Sequence, residues 1–218
     1  MWCIGKITPE YRKRMYDLLD LYAQPYDRQN PVVCMDEKSK QLLKDSRKPI
    51  PMKPGKCQKI DYEYQRCGTS NIFVAVEPKG GKRKTQVTKQ RTRTDFAHFI
   101  KHLINETYPQ ATKIRLVLDN LNTHFEKSFF KTFNQKEAKR MLKKIEFHYT
   151  PKHASWLNMA EIEIGILDRQ CLRKRIGDRE SMKNEVAAWE KKRNTQKAKI
   201  RWKFTREAAD LKLSKYYI

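Results

Sequence analysis

The sequence predicts an α/β fold with a mixed five-stranded sheet flanked by helices and a helical appendage at the C-terminus. Two stretches carry that expectation. The apolar run Ile114-Arg-Leu-Val-Leu118 is closed by Asp119 and reads as a buried strand. Ile145 to Thr150 reads as a second strand, followed by a turn at Pro151 and a helix that carries Glu161 in its first turns. Between the early strands and Asp119, the residues Phe96, Phe99, Ile100, Leu103 and Ile104 mark the apolar face of a crossover helix. Strand, helix and strand therefore alternate as an α/β plan requires.

Taken in order, Thr8-Pro9-Glu10 supplies a capping side chain and a proline at the first helical position. Tyr11, Met15, Leu18, Leu19 and Tyr22 then recur at helical spacing, which predicts a helix near 9–22. Pro25 and Pro31 bracket a polar connection to the strand-like run Pro31-Val-Val-Cys-Met35, ended by Asp36. Lys48-Pro-Ile-Pro-Met-Lys-Pro-Gly55 reads as an extended loop that begins a strand near this first acid. Tyr62 to Arg66 and Ile72 to Val76 are strand candidates separated by Gly68-Thr-Ser-Asn71 as a hairpin-like turn. Pro78-Lys-Gly-Gly-Lys82 turns the chain into a strand around Lys84 to Thr88, and Thr94 caps the crossover helix. The order is three antiparallel-type strands, a helix, a strand, a helical stretch from Thr123 to Lys143, a strand and the Glu161 helix. Two further helices, Asp178 to Lys192 and Thr205 to Leu213, are expected to face Trp189 and Leu211 inward.

A chain of 218 residues can bury a full core. The expected organisation is an N-terminal helical segment and linker at 1–29, a sheet domain at 30–176, and a helical C-terminal segment at 177–218. Lys and Arg number 48 against 25 Asp and Glu, a net charge of +23, which exceeds what solubility requires and points to nucleic acid. The excess recurs at Lys79 to Lys84, at Arg169 to Arg175 and across Lys191 to Arg206. In the last tract Trp202 and Phe204 alternate with cations, a pattern that serves phosphate contact with aromatic support or, as readily, anchors the tract to the core. Cysteines at 3, 34, 57, 67 and 171 form no C-x-x-C pair, and an odd number argues for free thiols in a reducing compartment. No apolar stretch reaches the roughly 20 residues needed to span a bilayer, and the N-terminus lacks a signal-peptide pattern, so a soluble intracellular protein is expected.

The chemistry is concentrated in three acids, Asp36, Asp119 and Glu161, each expected at the end of an element. Open α/β sheets place their ligands at the C-terminal ends of strands. A lone Asp at a strand end is usually solvated or caps the next helix, but three converging carboxylates repel one another unless a cation joins them. Magnesium takes oxygen ligands and keeps water or phosphate in its octahedron, so three acids suffice for two ions and in-line phosphoryl transfer. Periodicity does not choose between Glu161 and Glu163, which lie some 160° apart around the helix at about 100° per residue. Nor does strand alternation choose between Asp36 and Glu37.

The tracts Cys34-Met-Asp36-Glu-Lys-Ser, Leu116-Val-Leu-Asp119-Asn120-Leu-Asn-Thr-His124 and Tyr149-Thr-Pro-Lys-His-Ala-Ser155-Trp-Leu-Asn158-Met-Ala-Glu161 resemble the DDE transposases of the bacterial insertion-sequence-630 family, relatives of the eukaryotic mariner elements. The resemblance covers nearly the whole chain. It implies an RNase H-like fold and selects Asp36, Asp119 and Glu161 as catalytic ligands of two Mg²⁺ ions, for which Mn²⁺ can substitute. Asn120 and His124 match the family's Asp-Asn-x-x-x-His pattern, with His124 in reach of substrate or of a ligand, or simply capping its own helix. Lys152, His153, Ser155 and Asn158 lie on the turn leading to Glu161, where DNA backbone would approach, or where they fix the turn.

The resemblance implies cleavage at transposon ends and strand transfer into target DNA, at TA dinucleotides, by a homodimer on double-stranded DNA in the bacterial cytoplasm or nucleoid. Complete family members carry an N-terminal helix-turn-helix region, whereas this chain begins 35 residues before Asp36, the first of the three acids that the resemblance selects. A catalytic fragment, the downstream product of a split reading frame, or a truncated remnant is expected. Its rival is an inactive DNA-binding or regulatory remnant, indifferent to Asp119→Ala. A structure-selective nuclease or RNase H-type enzyme would share the metal site, but the Ser155-to-Glu161 pattern argues against it.

Overall fold

The computed structural model describes residues 6–218, so Cys3 lies outside the described residues. Five strands, β1 (Val32–Asp45), β2 (Tyr64–Glu77), β3 (Lys82–Thr88), β4 (Ile114–Leu118) and β5 (Ile145–Tyr149), form one sheet in the order β3-β2-β1-β4-β5. The β3-β2-β1 side is antiparallel, and β1, β4 and β5 run parallel. This is the expected mixed sheet. The helices are α1 (Pro9–Ala23), α2 (Arg93–His102), α3 (Lys127–Thr132), α4 (Gln135–Leu142), α5 (Ala160–Leu167), α6 (Arg179–Thr195) and α7 (Arg206–Leu213).

Side-chain alternation along the central strands sorts the core into layers. Val33, Met35, Phe73 and Ala75 face α2, α3 and α4 through Phe96, Phe99, Phe129 and Met141. On the other face, Cys34, Val76 and Val117 meet α1 and α7 through Met15, Leu18, Ala209 and Leu213. Ile72 and Val74 extend that face toward α5 and α6, where they meet Ile164, Leu167, Met182 and Trp189. Of the C-terminal helices, α6 packs against β3 and α7 against α1.

Several sequence expectations are corrected. Asp36 does not end its strand. Antiparallel pairing with β2 carries β1 on to Asp45, while its parallel pairing with β4 stops at Cys34 and Val117. Gly68-Thr-Ser-Asn71 is not a turn, because β2 runs straight through it. Gln41 pairs with Thr69 and Leu43 with Arg66, so Cys67 and Gly68 together oppose Leu42 in a bulge. Gly68 supplies the positive φ of 92° that such a bulge needs. The Lys48 to Gly55 loop begins no strand near Asp36. It lies in the exposed tip of a β1–β2 arm, where isolated bridges join Ile50 to Lys59 and Lys53 to Lys56.

The crossover helix is capped by Thr92, not Thr94. Thr92 and Asp95 exchange side-chain and backbone hydrogen bonds in a capping box, which leaves Thr94 inside the first turn. The stretch from Thr123 to Lys143 divides into α3 and α4 because Phe133 adopts extended backbone and Asn134 caps the second helix. In α7 the inward positions are Ala209 and Leu213, so Leu211, between them, points to solvent and is 85% exposed. Trp202 and Phe204 pack partly buried on the α1 and α7 layer, which favours their reading as anchors. Trp202 meets Tyr22 edge-on, and Phe204 meets Trp156.

Candidate active site

The parallel register sets the first two acids side by side. Cys34 pairs with Val117, so two residues further along both strands Asp36 comes level with Asp119, just past the end of β4. Beyond this point β1 continues and β4 stops.

Asp36 is mostly buried, and its Oδ1 accepts the Glu37 N–H at 2.7 Å. Burial is the main force that pushes its carboxyl up to about 7, with Asp119, Glu37 and Glu161 pushing the same way and the Glu37 N–H opposing. Glu161 stands in the first turn of α5 and is exposed. That helix is tied to β1 by Asn158, which is buried. Its Nδ2 donates to the Met35 carbonyl at 2.9 Å, and its Oδ1 accepts the Ala160 N–H at 3.1 Å. Asn158 thereby links the residue before Asp36 to the residue before Glu161.

Asn120 braces the neighbouring strand ends. Its Nδ2 donates to the Thr150 carbonyl at 2.6 Å, and its Oδ1 accepts from Arg14 of α1 at 2.8 Å. His124 is fully buried against Phe96 and lies between two carboxylates. Nδ1 is 2.7 Å from Asp119 Oδ1, and Nε2 is 2.7 Å from Glu37 Oε1. Burial favours the neutral ring, but the hydrogen bonds to Asp119 and Glu37 outweigh it and raise His124 to about 9, so both nitrogens donate. Lys152, His153 and Ser155 are exposed on the turn before α5, with His153 at a positive φ of 62°.

In both pairs that the sequence left open, one member has partners within the protein. Glu163, two residues after Glu161, is fully buried and gripped by two guanidinium groups. Arg83 of β3 donates to both its oxygens at 2.9 and 3.0 Å, and Arg193 of α6 does so at 2.9 and 3.1 Å. Burial alone would raise its carboxyl, yet the two arginines hold it below the ordinary range. Glu37 points to the opposite face of β1 from Asp36 and is committed to His124. Sequence reasoning missed Arg83 and Arg193, which read only as members of basic tracts, and had no signal for the Glu37 contact.

Asp36, Asp119 and Glu161 supply hard oxygen donors, and the charges of Asp119 and Glu161 both act on Asp36. Among the described residues, no group of three or more His, Cys, Asp or Glu side chains forms a ready metal cage. Magnesium requires none, since water and substrate phosphate complete its octahedron. Among the described residues, no helix is long and apolar enough to cross a membrane.

A family profile described as DDE superfamily endonuclease matches residues 31–183. No curated protein matches the sequence. Among solved structures, the Mos1 mariner paired-end complex with Mn is similar at 14% identity and a TM-score of 0.56, over 91% of this chain and 61% of that one. The paired-end complex with Mg matches at 14% and 0.57, over 100% and 66% of the two chains. A pre-cleavage Mos1 transpososome matches at 13% and 0.57, over 99% and 67%. The chain thus spans about 61% of the length of the first of these relatives. At such identities the likeness concerns the fold, which is the RNase H-like sheet flanked by helices.

Proposed function

We propose, from the premise that the chain belongs to the DDE superfamily of endonucleases, that it is the catalytic core of a DNA transposase. The observation that carries this reading is the parallel register that sets Asp36 level with Asp119, where Glu161 adds to the charge that Asp36 feels.

In this reading Asp36, Asp119 and Glu161 hold two divalent cations, magnesium or manganese. Bound there, the cations would supply activation of the attacking oxygen and stabilisation of the leaving oxygen in an in-line displacement. The chain's own residues set the geometry. Asp36 and Asp119 hold their carboxylates on a rigid sheet, and Asn158 fixes the start of α5 against β1 so that Glu161 has a defined approach. Water opens a phosphodiester at a transposon end, leaving a 3′-hydroxyl on one product and a 5′-phosphate on the other. That hydroxyl then attacks a target phosphodiester, at a TA dinucleotide, joining one strand and expelling a new 3′-hydroxyl. Exposed Lys191, Lys192, Lys197, Lys199, Arg201 and Lys203 provide salt-sensitive affinity for the DNA backbone. Two copies acting together on paired transposon ends would bring both ends to one target.

The test is cleavage and joining of a supercoiled plasmid with Mg²⁺ or Mn²⁺, comparing the protein with Asp119→Ala at equal DNA occupancy. Metal-dependent nicking or joining that disappears in the variant is the expected result. A wild-type protein that binds DNA and cuts none, whether or not the metal is present, overturns the reading in favour of a DNA-binding remnant.

A further inference from the structure

Asp119 presents two oxygens, and the protein has committed only one. Among the described residues, every hydrogen bond to its carboxylate falls on Oδ1, from the Leu121 N–H at 3.2 Å and from His124 Nδ1 at 2.7 Å. The ring that makes the shorter bond cannot turn freely. Its far nitrogen is held by Glu37 Oε1 at 2.7 Å, and its face packs on Phe96 with ring centroids 4.8 Å apart. The loop behind it is also tied down, since Tyr149 donates its hydroxyl to the His124 carbonyl at 2.9 Å and Ser128 donates to the Thr123 carbonyl at 2.6 Å.

Glu37 is a costly residue to keep there. Its side chain is 1% exposed, and its Oε2 is buried with no hydrogen-bond partner among the described residues. A buried carboxylate with half its capacity unmet is a poor stabiliser beside an apolar residue of the same size. Its geometry explains it better. Glu37 follows Asp36 in β1 and points to the other face, so consecutive residues reach the site from both sides of the sheet. One lies level with Asp119, and the other grips the imidazole that holds Asp119 from behind.

We propose that Glu37 and His124 are positioning residues that fix the rotamer of Asp119 through Oδ1 and reserve Oδ2 for a divalent cation. The proposal rests on the assignment of Asp119 as a ligand. Hydrogen-bonded partners of this kind orient metal ligands, and their loss typically costs about 10- to 100-fold in metal affinity. Glu37 is therefore a determinant of cation affinity that itself touches neither cation nor DNA.

The test is Mn²⁺ binding to the full chain, followed by the electron paramagnetic resonance signal of free Mn²⁺, with thermal melting and DNA affinity measured on the same samples. Asp119→Ala should abolish the site, and if it leaves Mn²⁺ binding unchanged, the ligand assignment itself fails. Glu37→Ala should weaken Mn²⁺ binding by about 10- to 100-fold with DNA affinity unchanged. Glu37→Gln, which keeps an acceptor for the ring, should fall between Glu37→Ala and the wild type and supplies the answer should Glu37→Ala not fold. His124→Asn keeps a donor near Asp119 while losing the reach to Glu37, and should also be intermediate. If Asp119→Ala abolishes binding while Glu37→Gln, His124→Asn and any folded Glu37→Ala bind Mn²⁺ as the wild type does, whatever their melting temperatures, the positioning role is overturned.

Discussion

Glu161 and Glu163 lie two residues apart on the same short helix and have opposite surroundings. Glu163 is sealed in the interior with Arg83 and Arg193 forked onto both its oxygens. Glu161 stands exposed beside Asp36, which has no cationic partner among the described residues, and Asp119, whose one such neighbour is His124. Where the chain provides the countercharge, a carboxylate holds elements together. Where it withholds the countercharge, the group remains available to a partner from outside. The contrast extends to acidity, since the arginines draw Glu163 down while burial and neighbouring acids drive Asp36 up.

Substitutions at these positions can break or sharpen the contrast. Glu163→Ala has the largest expected effect on stability, because it leaves the fully buried Arg83 without its partner. Loss of about 3–5 kcal/mol is expected from chemical denaturation. Acid titration should have a smaller effect with a defined sign. The folded carboxyl of Glu163 lies below the ordinary 4.5, so its contribution is complete above that value and is lost as pH falls from it toward the folded pKa. Glu163→Gln should flatten this part of the stability–pH profile, and a variant with the same acid limb as the wild type would show that the arginines do not act through the charge of Glu163. Glu161→Ala should change stability least, within about 0.5 kcal/mol, because the side chain is exposed. The same variant should lose metal-dependent DNA cleavage. A large loss of stability in Glu161→Ala, or a mild one in Glu163→Ala, would reverse the assignment of roles.

The sequence made local features legible and non-local ones obscure. The α1 cap at Thr8, the short apolar strands β4 and β5, and the start of α6 at Asp178 follow from patterns a few residues long. The length of β1 does not, because the strand continues past Asp36 only through its pairing with β2. Gly68 reads as a turn signal until a partner strand shows it to be a bulge. Leu211 lies two residues from Leu213 and is apolar like it, so only packing shows which of them faces in. In the site, position along the chain left Glu161 and Glu163 undecided, and Asp36 and Glu37 likewise. The partners of Glu163 and Glu37 are far away in sequence, Arg83 by 80 residues, Arg193 by 30 and His124 by 87. No local period reports such distances.

The Glu163 cluster also imposes a schedule on the chain's synthesis. When α5 first emerges it carries an acid bound for the interior, and Arg83, already made, is one of its two cations. The other comes 30 residues later in α6. Until then the helix that bears Glu161 has only half of the countercharge that holds it, so the site should be among the last parts of the molecule to mature. Its completion waits on a helix that contributes none of the three acids.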